Sequence, residues 1–319
     1  MHERVLPTRS GLDDRGLALR LAGGFGALVV LTFCLIVLGA LVRAHDAGLA
    51  CPDWPLCFGR LVPRMNLQVG FEWAHRVVAG SVALIFLGLG ALALRRASIR
   101  RSCWRLLACA AGLLALQIGL GALTVWKLLA AWSVTAHLLT GNAFALLLLW
   151  LALTLQEQAR GAPQRARPPA TARALLAISA VLLALQVALG GLVASRYAGL
   201  ACPEWPTCNG GIWFPTFQGT VGVHLLHRLN GYALIVALAA TAWLARRGAA
   251  RLRRATGMAC GLGLVQAGVG VANVLLGLPV EITGLHSALA AALVLTFSLA
   301  FREGRAGDKV ASPMLQSRR

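Results

Sequence analysis

Long uncharged apolar windows dominate this chain, running Leu21 to Val42, Val77 to Leu94, Leu106 to Trp126, Leu128 to Gln156, Ala174 to Ser195, Leu229 to Ala245, Ala255 to Val280 and Ile282 to Phe301. A helix rises about 1.5 Å per residue and needs about 20 residues to cross about 30 Å of hydrocarbon. The pattern therefore predicts an all-α integral membrane protein with eight transmembrane helices. Windows two and six are short, but both lengthen if their helices begin upstream, near Gly70 and Gly222. That extension takes Glu72, His75, His224 and His227 into helical turns close to one membrane face.

Composition agrees, with 58% apolar and 13% charged residues and a mean hydropathy of +0.72; soluble domains carry roughly 25% charged residues. These values exclude a disordered chain, an ordinary cytosolic enzyme and a nucleic-acid-binding domain with a basic face. The first window is too long for a signal-peptide core and no A-x-A site follows it, so it is expected to remain as a span. Glu3, Asp13 and Asp14 argue against an acid-poor organellar transit peptide, which leaves a bacterial plasma (inner) membrane as the expected location. Sorting alternate connections puts 23 of the 30 Lys and Arg on one side. By the positive-inside rule both termini are expected to be cytoplasmic. The net charge of +19 is then topology and attraction to anionic membrane lipid, with no nucleic acid implied.

The chain also repeats itself. Gly48-Leu49-Ala50-Cys51-Pro52-Asp53-Trp54-Pro55-Leu56-Cys57 returns 151 residues later as Gly199-Leu200-Ala201-Cys202-Pro203-Glu204-Trp205-Pro206-Thr207-Cys208. His75-Arg76 returns as His227-Arg228, Gln117 as Gln266 and His137 as His286. The expected architecture is two tandem, duplicated four-helix bundles, residues 21–156 and 174–302. A cytoplasmic tail (1–20), a Pro/Arg-rich cytoplasmic linker (157–173) and a second tail (303–319) flank them.

Five of the seven histidines fall near the outer ends of even-numbered spans, and the repeat gives each half two of them on two helices: His75 with His137, and His227 with His286. Facing helices of a bundle commonly hold haem or metal. Two opposed imidazoles suit a planar haem better than zinc, which wants four ligands or three and a water. A lone intramembrane His more often glues helices together, but a duplicated pair favours ligation. Arg76 and Arg228 follow ligand candidates directly, as partners for haem propionates or as snorkelling anchors.

Glu72 precedes His75 by three residues and shares its helical face. It reads either as a carboxylate that moves protons or stabilises charge beside a haem, or as an interfacial acid paired with Arg76. His224 occupies the matching place in the second half. Both C-P-[DE]-W-P-x-C loops are expected to face an oxidising compartment, where bridges Cys51 to Cys57 and Cys202 to Cys208 are plausible, as structural staples or as redox-active sites. Cys34, Cys103, Cys109 and Cys260 read as small apolar residues, and the Gly-x-Gly steps at Gly119 to Gly121 and Gly268 to Gly270 as helix packing. His45 is expected to be solvated beside Asp46.

Eight spans in two repeats, Glu72-Trp73-Ala74-His75-Arg76, His137, His227-Arg228, His286 and the paired Cys loops resemble the haem A synthase family, over roughly Arg20 to Arg302. The resemblance implies a membrane oxidoreductase that converts the ring methyl of haem O to the formyl group of haem A, for terminal oxidases. The family's route is successive hydroxylation to a geminal diol that loses water. It further implies that His75 and His137 bracket the substrate haem with Glu72 as catalytic carboxylate, and that His227 and His286 ligate the iron of a haem b. The N-terminal Cys loop is linked in this family to haem delivery. Haem O synthase, oxidase assembly factors and an electron-transfer partner follow from the pathway. Two rivals stand beside this reading: a bis-haem electron-transfer or haem-handling protein, and a membrane disulfide oxidoreductase.

Overall fold

The computed structural model describes residues 9–163 and 168–305. Eight helices follow one another: α1 (Arg9–Ala44), α2 (Leu67–Leu94), α3 (Ala97–Trp126), α4 (Ala131–Arg160), α5 (Ala170–Ser195), α6 (Gly219–Ala245), α7 (Ala250–Leu275) and α8 (Val280–Arg305). All eight are long and apolar enough to cross a membrane. The described residues contain no β-strand beyond isolated bridges in the two Cys loops.

Helix ends differ from the apolar windows for local reasons. Helix α2 starts at Leu67, a turn before Gly70, because the Asn66 side chain accepts the Val69 N–H at 2.9 Å and caps it. Helix α1 continues through charged residues back to Arg9, so much of the expected N-terminal tail is helical, while residues 1–8 and 306–319 lie outside the described set. Leu128 and Leu129 form a tight turn rather than opening α4, with the Leu129 N–H bonded to the Thr124 carbonyl at 2.8 Å. Leu278 does the same after α7, which therefore ends at Leu275 and not at Val280. Both turns reach the Cys loops. A methyl group at Gly48 would lie 3.2 Å from Leu129, and one at Gly199 would meet Leu278 at 2.7 Å.

Packing is uneven along the helices. In α1–α4 one core joins Leu21, Phe25, Phe86, Ile99, Leu148 and Leu151, with Phe86 edge-on to both Phe25 and Phe144. In α5–α8 Leu176, Leu238, Leu293 and Phe297 form a second. Both cores fill the helix halves farther from the Cys loops and stop short of the four paired histidines. The two sets of helices meet where α1 touches α8 and α4 touches α5. Small residues allow the approach: a methyl at Gly191 would be 3.1 Å from Thr135, and one at Gly284 3.1 Å from Leu41. Arg43 lies over the Tyr197 ring at 3.7 Å and donates to the Ala194 carbonyl, and Arg302 pairs with Glu157 at 3.0 Å.

Candidate functional site

Each of the four paired histidines rests against a glycine on the preceding helix. A methyl at Gly39 would stand 3.1 Å from Cε1 of His75, at Gly121 3.3 Å from His137, at Gly190 3.2 Å from His227 and at Gly270 2.9 Å from His286. Ordinary carbon contacts lie at about 3.5–4.0 Å. A methyl at any of these positions would press on the ring, so Gly121 and Gly270 serve the histidines as well as helix packing. Gly39 and Gly190 were not singled out from the sequence, although the 151-residue offset relates them too.

His75 and His137 come together, with ring centroids 6.5 Å apart and planes at 59°. Two imidazoles binding one iron from opposite sides, each with its nitrogen about 2 Å from the metal, place their ring centres roughly 6 Å apart. Nδ1 of His75, His137 and His286 is buried without a hydrogen-bond partner, an arrangement that a ligating role accounts for. No group of three His, Cys, Asp or Glu side chains converges among the described residues.

Glutamines one helical turn before the glycines reach two of these rings and the backbone of a third histidine. Gln117 Nε2 is 3.3 Å from His137 Nε2, and Gln186 Nε2 lies 3.2 and 3.4 Å from the two nitrogens of His227. Gln266 donates to the His286 carbonyl at 2.9 Å. The repeated Gln-x3-Gly spacing was the signal that would have found Gln186.

Glu72 is buried and fully engaged by its surroundings. Its Oε2 accepts the Cys51 N–H at 2.8 Å, and its Oε1 pairs with Arg76 at 2.5 Å. The interfacial ion pair expected as one of its two readings is thus present. Arg76 also donates to the carbonyls of Asp53 (2.6 Å), Cys51 (3.2 Å) and Leu56. Arg228 does likewise with Cys202 (2.6 Å) and Thr207 (3.0 Å). Both guanidiniums therefore hold the Cys loops onto α2 and α6. His224, at the place matching Glu72, is buried with Nδ1 2.9 Å from the Ala198 carbonyl.

The loops themselves are closed units. Disulfides join Cys51 to Cys57 and Cys202 to Cys208, with all four cysteines fully buried. Asp53 accepts the N–H groups of Phe58 (2.6 Å) and Gly59 (2.7 Å), and Glu204 those of Gly210 (2.8 Å) and Gly211 (3.0 Å) plus the Thr207 hydroxyl. These amides hold both carboxyls below the usual carboxylate range. The acidic residue of each C-P-[DE]-W-P-x-C motif thus ties its own loop. His45 corrects an expectation: it is half-buried, stacked on Phe71 at 4.2 Å with Nδ1 2.9 Å from the Leu41 carbonyl, because Phe71 in the first turns of α2 covers it.

Over residues 25–70 and 67–298 the chain matches the COX15-CtaA family, described as cytochrome oxidase assembly protein. It is similar to the "Heme A synthase" of Shewanella oneidensis, 29% identical over 312 residues spanning 84% of this chain and 92% of the relative. With that of Symbiobacterium thermophilum it shares 33% identity over 247 residues, 73% of this chain and 78% of the relative. With that of Caulobacter vibrioides it shares 28% over 326 residues, 84% and 91% respectively. A matched stretch that includes both Cys loops and all four paired histidines places the chain in the haem A synthase family of cytochrome oxidase assembly proteins.

Proposed function

We propose that this protein is a membrane oxidoreductase that makes haem A from haem O, with His75 and His137 holding the substrate haem and Glu72 as the catalytic carboxylate. The observation that carries the substrate site is the 6.5 Å spacing of the two rings over glycine cradles, beside a buried carboxylate one turn away. His227 and His286, on the matching cradles of α6–α8, are assigned to a resident haem b whose iron supplies electron transfer when bound. The two halves are read as a duplication, 21–156 and 174–302. Both termini are cytoplasmic and the Cys loops extracytoplasmic, in a bacterial plasma membrane. Haem O synthase, oxidase assembly factors and an electron-transfer protein are the partners this places around it.

Glu72 is suited to its role by how it is held. Arg76 and the Cys51 amide fix both oxygens, while each oxygen keeps a further lone pair that can accept a proton or face positive charge developing at the methyl carbon. Substrate orientation falls to His75 and His137, and exclusion of water to the Cys51–Cys57 loop clamped above α2. Burial of all four loop cysteines disfavours the disulfide oxidoreductase, because thiol exchange requires access to sulfur.

Pigment extraction from detergent-purified protein, made in cells that produce haem O, tests the assignment. Haem b together with haem O or haem A is expected, and Glu72→Gln is expected to keep both pigments while abolishing haem A. Haem b alone would favour the electron carrier, and full haem A production by Glu72→Gln would remove Glu72 from catalysis.

A further inference from the structure

At the end of the molecule opposite the Cys loops, a cavity of about 370 Å³ opens between the first turns of α5 and the last turn of α8. Ala174, Leu176, Ala177 and Phe301 give it an apolar wall, and Arg173 and Arg305 are the charged side chains among its described lining residues. Arg305 lies over the Phe301 ring at 5.4 Å, and the half-buried Arg173 keeps its Nε out of solvent without a hydrogen-bond partner. A buried donor in that position calls for an acceptor supplied from outside the fold. The repeat shows that the cavity is particular to the second half. At the matching places α1 and α4 carry Phe25 and Leu155, both fully buried, where α5 and α8 carry Leu176 and Gly304. Ala22 and Gln156 stand where Arg173 and Arg305 do. Apolar volume is thus exchanged for space and two guanidiniums.

The planar fork of a guanidinium matches phosphate oxygens, and basic pockets between spanning helices hold lipid head groups. We propose that Arg173 and Arg305 bind the phosphate of an anionic phospholipid head group in the cavity between α5 and α8. From the cavity the exposed Ile178, Val181 and Leu185 continue along one face of α5 at three- and four-residue spacing. That stripe offers a path for an acyl chain, which a free phosphate ion has no use for.

The test is a native mass-spectrometric titration of the detergent-purified full chain with phosphatidylglycerol and with phosphatidylcholine, the former repeated in the presence of inorganic phosphate. One phosphatidylglycerol is expected to bind ahead of any phosphatidylcholine and to resist displacement by phosphate. Removing both guanidiniums, as Arg173→Gln with Arg305→Gln, is expected to weaken that first binding about tenfold or more, since each arginine near a lipid surface contributes roughly fivefold. Ala174→Leu, which narrows the cavity at unchanged charge, is expected to weaken it as well. Arg247→Gln with Arg251→Gln, two exposed arginines at the α6–α7 turn, is expected to leave it at the wild-type level. Equal binding of phosphatidylcholine, or equal losses in the two double variants, would overturn the site in favour of the general field of a chain with a net charge of +19. Displacement of the lipid by inorganic phosphate would overturn the lipid as the source of the phosphate group.

Discussion

The glycine cradles give a graded prediction. Replacing each by Ala introduces a methyl at 2.9 Å from the ring for Gly270, 3.1 Å for Gly39, 3.2 Å for Gly190 and 3.3 Å for Gly121. Comfortable carbon contacts begin near about 3.5 Å, so the ring at Gly270 must move by roughly 0.6 Å and that at Gly121 by roughly 0.2 Å. Overpacking of this kind costs about 1–3 kcal/mol, and here the strain falls on the imidazole. Gly119 and Gly268, two residues earlier and so on the opposite helical face, have nothing within 4 Å of an added methyl. Haem-to-protein ratios, with the low-spin absorbance of the bound pigment, should therefore fall most for Gly270→Ala, whose methyl lies closest to its ring, and less for Gly39→Ala, Gly190→Ala and Gly121→Ala. Gly119→Ala and Gly268→Ala should match wild type. Equal losses at all six positions would mean that general helix packing, and not the rings, is what these glycines serve.

Three further outcomes follow from the loops. Arg76→Met should lower stability by about 3 kcal/mol, because it strands a buried carboxylate as well as loop carbonyls. Arg228→Met, which strands carbonyls only, should cost about 1–2 kcal/mol, and equal losses in thermal unfolding would refute the distinction. Asp53 and Glu204 have folded pKa values lowered from 3.8 and 4.5. Their contribution to loop order is then complete above those values and lost as pH falls through the folded ones. Hydrogen exchange at Gly59 and Gly211 should be pH-independent in protection near neutrality and lose protection in acid; Asp53→Asn should remove the acid step at Gly59 only.

Much of this molecule was legible because the membrane imposes a simple rule. Eight uncharged windows gave eight helices, since a spanning segment must satisfy its own backbone within hydrocarbon. The histidine pairs and Cys loops were legible because the repeat displays each twice. Ends were less so: Leu128, Leu129 and Leu278 are apolar and look helical, yet they close turns whose purpose, packing beneath Gly48 and Gly199, lies far away in sequence. The same applies to the loop-tying carboxyls of Asp53 and Glu204 and to the arginines. A charged residue at a membrane surface offers several partners, and only the fold selects the loop carbonyls.

Glu72 and His224 show how one position can carry two duties that are separable. In both halves this residue is buried and bonds backbone of the preceding outer loop, through the Cys51 amide in one case and the Ala198 carbonyl in the other. Holding the loop therefore needs a polar side chain there, and not a carboxylate. Glu72→His places in the first half what the second half already accommodates, with Ala47 as the carbonyl matching Ala198. If the carboxylate does the chemistry, this variant should keep the Cys51–Cys57 loop protected from proteolysis and retain bound haem O, yet form no haem A. A variant that still makes haem A at the wild-type rate would reduce Glu72 to the anchor that His224 is.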